Sequence, residues 1–259
     1  MPPVLRPHRG LRRIALAISV LALLLSAQPA AATEYSPPWA DIFGSSWTNL
    51  DTTESAGRLY DQLAGTGYAR YKDLNKSAHI AMGTAYAQSD AIWVTFGHAN
   101  KGTITYCNTP TCDTNTYSWL YANSSVGSCG GGSNDCLANY PSSLDDIKLM
   151  VFAGCHTGQD GAPGSLRNGN LVDLAALYDH VDDVFGFTAL VYWPMGNDYA
   201  TFLGTELAAG STVDYAVWKA GVEVKNRWLD PWGWDTSYGH WRTNDKILPA
   251  SYGLTGWPS

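Results

Sequence analysis

The sequence predicts an α/β protein, a three-layer sandwich in which a mostly parallel sheet lies between two layers of helices. Three near-continuous apolar runs of strand length, Ala91 to Phe96, Ile147 to Ala153 and Val184 to Tyr192, alternate with stretches of helical spacing. Strands that are apolar on both faces need cover on both sides of the sheet, which the intervening helices supply. No internal repeat and no interdomain linker interrupts the 259 residues, so a single α/β domain is expected after the leader, over 33–259.

In chain order, Met1 to Ala32 reads as a secretory signal peptide. Arg6, Arg9, Arg12 and Arg13 form a basic start, Ile14 to Leu25 is apolar, and Ala30-Ala31-Ala32 offers a cleavage site just before Thr33. The apolar run falls short of the roughly 20 residues that span a bilayer, and no other stretch approaches that length. The whole chain carries 16 Lys+Arg against 23 Asp+Glu, net −7; removing the leader takes four Arg and no acid, leaving 12 against 23, or −11. The expected product is an acidic, secreted protein with no membrane segment once the leader is gone. Nucleic acid and anionic membranes are excluded as partners on charge. Glu34 to Asn49 has the position of a short pro-segment, though nothing in it marks one.

Glu54 to Leu63 places Ala56, Leu59, Tyr60 and Leu63 at helical spacing, after capping candidates in Asn49 to Thr53 and before Gly65 and Gly67. Ser77 to Gln88 reads as a second helix capped by Ser77. The strand Ala91 to Phe96 ends at Gly97-His98, and Thr103 to Tyr106 returns as a short strand. Asp145-Asp146 lead into Ile147 to Ala153, which ends at Gly154-Cys155. Leu171 to Tyr178 reads as helix, Val184 to Tyr192 as strand, and Asp198 to Ala209 and Thr212 to Trp228 as helices split by Gly210-Ser211. The tail from Asp230 is rich in Trp, Gly and Pro without periodicity and is expected to wrap the domain. Trp228, Trp232, Trp234, Trp241 and Trp257 would anchor it by burial or, if exposed, stack on sugar rings.

An exported chain meets an oxidising compartment, and five cysteines leave one thiol over. Cys107, Cys112, Cys129 and Cys136 lie within an insertion of about 107–136 rich in Thr, Asn, Ser and Gly. Two local disulfides are the preferred pairing of three, because short loops close easily. A zinc site competes, but the spacings and the lack of a nearby His pair argue against it.

Cys155 and His98 each stand where an apolar strand ends beside a glycine. Ligands of open α/β sheets bind outside the carboxyl ends of the strands. A thiol becomes a strong nucleophile when a neighbouring imidazole takes its proton. If the two strands are neighbours, both side chains enter one crevice; the alternatives are a buried structural thiol for Cys155 and a satisfied, partly buried histidine for His98. His156, next to Cys155, would add local positive charge.

These residues resemble the caspase-like cysteine peptidases, the group of caspases, legumain, clostripain, gingipains and CHAT-domain proteins. The likeness runs over about Ala91 to Val224. It rests on the strand ending at His98, on Leu149-Met-Val-Phe-Ala-Gly-Cys-His-Thr-Gly158, and on the pattern around Leu207 to Trp218. The 57 residues from His98 to Cys155 suit the caspase spacing of about 50. The resemblance implies a caspase-like fold, Cys155 as nucleophile and His98 as general acid and base. It also implies an oxyanion hole from the backbone N–H groups of Ala99 and Cys155. The family has Gly directly after its His; here Ala99 holds that place and still offers an N–H.

Asp160 and Asp198 are candidates to attract a basic substrate side chain, or are solvated loop acids. No cofactor and no metal is assigned; calcium, used by some relatives, has loop acids enough but no marked site. Gly-x-Ser-x-Gly, His-Glu-x-x-His and phosphate-cradling motifs are absent. The expected function is a secreted cysteine endopeptidase acting on peptide or protein substrates. The alternative is a catalytically silent secreted binding protein on the same fold, contacting glycans or proteins. Oligomeric state is open.

Overall fold

The computed structural model describes residues 39–47, 49–88, 92–100, 102–110, 112, 116–130, 132–140, 144, 147–158, 171–177, 181, 183–187, 190–228 and 239–243. A six-stranded sheet forms its centre, built from β1 (Trp39–Gly44), β4 (Ala69–Leu74), β5 (Ile92–Phe96), β10 (Leu149–Ala153), β11 (Asp183–Phe187) and β12 (Gly239–Thr243). Their order is β12-β11-β10-β5-β1-β4. Five strands run parallel, and β12 closes the β11 edge antiparallel.

Alternation along each strand splits the core into two layers. Ile42, Val94, Val151 and Phe185 pack beneath α1 (Thr53–Gln62), α4 (Trp193–Ala208) and α5 (Val213–Arg227). Phe43, Trp93, Met150 and Phe152 face the other way, toward α2 (Ala78–Gln88) and α3 (Leu171–Leu177). Burial on both faces explains why β5 and β10 are apolar at every position but one, Thr95.

Three elements differ from the sequence reading for identifiable reasons. The stretch considered as a pro-segment contains β1, which lies between β4 and β5; Asp41, buried within it, breaks the apolar run. β4, reading Ala-Arg-Tyr-Lys-Asp-Leu, is a polar edge strand of the kind that protects a sheet from further pairing. The third apolar run stops being strand at Phe187, and α4 begins at Trp193 rather than Asp198. Pro194 in its first turn is the cause, since proline's fixed φ suits a helix start. Of the tail, only 239–243 lies among the described residues, as β12; Trp232, Trp234 and Trp257 lie outside them.

The cysteine-rich insertion is partly core. β6 (Ala99–Asn100), β7 (Thr103–Cys107), β8 (Tyr117–Tyr121) and β9 (Asp135–Cys136) form a second sheet in that order. Its inner residues Ile104, Tyr106 and Leu120 are buried with the α2 layer. Disulfides join Cys107 to Cys112 and Cys129 to Cys136, leaving Cys155 as the free thiol. Such pairing is consistent with an oxidising, extracellular setting. No described helix is long and apolar enough to cross a membrane.

Thr52 ties three elements together at the carboxyl end of the sheet. Its hydroxyl accepts the Ser45 N–H at 2.9 Å and donates to the Phe96 carbonyl at 2.7 Å, directly before Gly97-His98. Thr52→Val keeps the shape and strands both buried backbone groups. We expect it to lower unfolding stability by about 2 kcal/mol, read from urea denaturation midpoints at unchanged slope.

Candidate active site

β5 and β10 are adjacent and in register, Phe96 beside Ala153. Their carboxyl ends therefore emerge side by side, carrying His98 and Cys155 into the same region. The contact between the two turns is backbone on backbone. Gly97 N–H donates to the Ala153 carbonyl at 3.2 Å. A Cβ placed on Gly154 would lie 2.4 Å from Ala99 Cβ and 2.7 Å from the Gly97 oxygen. A Cβ on Gly97 would meet the Thr105 oxygen at 2.7 Å. Glycine is thus required at both positions for spatial reasons.

The chain leaves β10 through a sharp bend. His156 adopts φ 57°, the left-handed region that non-glycine residues rarely occupy. Thr157, fully buried, then donates its hydroxyl to the Phe152 carbonyl at 2.7 Å and accepts the Phe187 N–H at 3.1 Å. Together they fasten the Cys155 turn to the end of β11.

Cys155 is half-buried, and its sulfur meets the backbone of Val191: the Val191 N–H donates to Sγ at 3.3 Å, and Sγ lies 3.6 Å from the Val191 oxygen. No hydrogen bond joins Sγ to His98. Around Val191 the surface is apolar, with Leu190 44%, Tyr192 51% and Trp193 45% exposed. His98 is exposed on one side and rests against the edge of the buried Trp47 ring, centroids 5.1 Å apart. Desolvation from this packing lowers its pKa below the ordinary 6.5, which favours the neutral imidazole.

The ladder gives the direction of one backbone donor at this end of the sheet. Thr105 N–H donates to the His98 carbonyl at 2.7 Å, so His98 lies opposite Thr105, one position before the β6–β7 ladder begins. Ala99, paired with Ile104, is therefore a non-hydrogen-bonded position whose N–H turns away from β7. Among the described residues neither Ala99 N–H nor Cys155 N–H has an acceptor.

The candidate acids contribute less. Asp160 lies outside the described residues. Asp198 is engaged within the helical layer, accepting Arg227 Nη1 at 2.7 Å and Trp228 Nε1 at 2.9 Å, which joins α4 to the end of α5. Trp228 is thereby assigned a packing role. No group of three or more His, Cys, Asp or Glu side chains among the described residues is arranged to hold a metal ion. Sequence reasoning missed Trp47 and Val191, which act through contacts with residues distant in the chain and carry no local mark; Thr157 stands in the quoted motif, but its tie to Phe187 does not show there.

No protein-family model and no curated protein matches the chain. Among solved structures it is similar to the Arg-specific cysteine proteinase gingipain R, with a TM-score of 0.51 at 10% identity. The match covers 78% of this chain and 45% of that one, so the chain corresponds to about half of the proteinase's length. At that identity the likeness concerns the fold. With five parallel strands, one antiparallel edge strand and helices on both faces, the chain has the caspase-like α/β architecture.

Proposed function

We propose that the chain is a secreted cysteine endopeptidase in which Cys155 is the nucleophile and His98 the general acid and base. The observation that supports this reading is the interlock of the β5 and β10 ends at Gly97, Ala99 and Gly154, because it holds the two turns that carry His98 and Cys155 side by side at the carboxyl end of the sheet. A neutral His98 takes the thiol proton, and the thiolate Sγ attacks the scissile carbonyl carbon. The carbonyl oxygen becomes an oxyanion, received by the Ala99 and Cys155 N–H groups. The C–N bond breaks as His98 returns its proton to the leaving amine. Water, deprotonated by His98, then attacks the thioester, releasing the acid and the thiol.

Val191, whose backbone meets the sulfur, is flanked in sequence by the exposed Leu190, Tyr192 and Trp193, so on this reading apolar substrate side chains are favoured over charged ones. The same contact supports a second reading. Sγ hydrogen-bonds to Val191 rather than His98, which would suit a catalytically silent binding protein on this fold.

Incubation of residues 33–259 with a diverse peptide library, beside Cys155→Ala, separates the two. Cleavage by the native chain alone supports the peptidase; intact peptides with a free thiol and an intact fold support the binder. The pH profile adds a signature. Because burial lowers the His98 pKa, the imidazole stays unprotonated to below pH 6.5, so the acid limb of kcat/KM is expected with its midpoint under 6.5. A limb centred above 6.5 would place the titrating base elsewhere.

A further inference from the structure

An aromatic row begins at His98. Trp47 lies against His98 and clusters with the Cys107–Cys112 disulfide, onto which Tyr117 packs. Tyr117 meets Trp119 edge-on at 6.2 Å, and Trp119 lies nearly parallel to Tyr121 at 6.4 Å. Tyr117, Trp119 and Tyr121 alternate along β8 on its partly exposed face, while Ser118 and Leu120 between them are buried. The ladder fixes where this face points. Thr105 pairs with Trp119, and its N–H donates to the His98 carbonyl one position before the β6–β7 ladder; continued by that position, the register puts the three on one face of the small sheet. Two strand spacings put Trp119 about 10 Å from His98 along that row.

The rings are held before any ligand arrives. Tyr121 is backed by Gly127, where an added Cβ would fall 2.2 Å from a ring carbon. The Trp119 backbone N–H donates to Asn134 Oδ1 at 3.0 Å, which fixes the strand that carries its ring. Beside the rings on β7 stand Thr103 and Thr105, and no charged residue shares the paired positions of this face. A rigid, uncharged strip of aromatic rings and hydroxyls suits an extended chain with apolar side chains, because little side-chain entropy is lost on contact.

We infer that this strip, centred on Trp119, binds the part of a peptide substrate that lies C-terminal to the scissile bond and selects aromatic or bulky apolar residues there. The inference rests on the peptidase reading, in which His98 protonates the leaving amine and so stands on the amine side of the bond. At about 3.3 Å per residue, 10 Å places Trp119 near the third residue after the cleaved bond.

The test digests a peptide library with the native chain, Trp119→Ala and Trp119→Phe, and maps the cut sites by mass spectrometry. The native chain is expected to enrich aromatic residues two to four positions after the cut. A matched peptide pair with Trp or Ser at the third position should differ about ten-fold in kcat/KM, falling to near one-fold in Trp119→Ala and largely kept in Trp119→Phe. Cleavage by the native chain without that preference, or a preference that survives in Trp119→Ala, overturns the inference and leaves the peptidase standing. If the native chain cuts nothing, the same peptides are titrated against Cys155→Ala by fluorescence anisotropy. Trp-dependent binding lost in Cys155→Ala/Trp119→Ala keeps the strip as a peptide site while the catalytic reading fails. Absent peptide binding, or binding of chitohexaose in its place, overturns the strip's assignment to peptides.

Discussion

Cys155→Ala is expected to abolish peptide hydrolysis, with kcat/KM falling by at least about 10³-fold while the protein stays folded. The size of the loss follows from the covalent route. Without a sulfur there is no acyl-enzyme, and the two N–H donors at Ala99 and Cys155 have no tetrahedral adduct to hold. The cost to folding is small by comparison. The sulfur is half-buried and trades only weak contacts with Val191, so the variant should unfold within about 1 kcal/mol of the native chain. His98→Ala is expected to lose activity to a similar extent, because residues acting as one unit do not contribute additively. Circular dichroism and the denaturation midpoint separate lost chemistry from lost structure. Residual cleavage by folded Cys155→Ala would place the nucleophile elsewhere. A native thiol inert to iodoacetamide, together with no cleavage, would favour the binding protein.

The strand ends that carry Cys155 and His98 were legible in the sequence because the evidence for each is local: an apolar strand, then a glycine, then a reactive side chain. The two buried strands behind them were legible for the same reason, since β5 and β10 are covered on both faces and leave the pattern no polar interruptions beyond Thr95. Their adjacency was only a supposition. It depends on β1 and β4 filling the far side of the sheet, and neither strand has a readable pattern: Asp41 interrupts one and edge charges dominate the other. The start of α4 is marked by Pro194, yet the sequence reading begins that helix five residues late, at Asp198, because the apolar run continues in sequence to Tyr192, beyond the strand's end at Phe187. Trp47 illustrates what no local reading supplies. It lies 51 residues before His98, in a short antiparallel pair of β2 (Ser46–Trp47) and β3 (Leu50–Asp51), and reaches the imidazole only through the folded chain. The local disulfides were legible, but the insertion's burial was not, since its loops are polar while the inward residues of β7 and β8 alternate one by one with outward ones.

Gly154→Ala is the second substitution with a large expected effect, and it probes geometry rather than chemistry. The new methyl would fall 2.4 Å from Ala99 Cβ and 2.7 Å from the Gly97 oxygen, both well inside van der Waals contact. Neither obstacle is the end of a flexible side chain. Relief therefore requires the β5 and β10 turns to separate, moving the imidazole and the Ala99 N–H away from the thiol. Displacements near 1 Å at a reacting centre cost about 10²-fold in rate, so kcat is expected to fall by roughly that factor. Overpacking should also remove about 1–3 kcal/mol of stability. The pairing of Gly154 with Ala99 makes the argument reciprocal. In Gly154→Ala/Ala99→Gly the methyl that occupied the space is removed, and only the contact with the Gly97 oxygen remains. The double variant is expected to recover part of the lost kcat and part of the stability, a coupling that a double-mutant cycle measures directly. The Ala99→Gly single variant sets the baseline, since glycine there also loosens the backbone carrying the oxyanion donor. Full activity in folded Gly154→Ala would mean that the contact between the two turns does not govern the catalytic geometry, and the interlock would lose its place as the observation supporting the dyad.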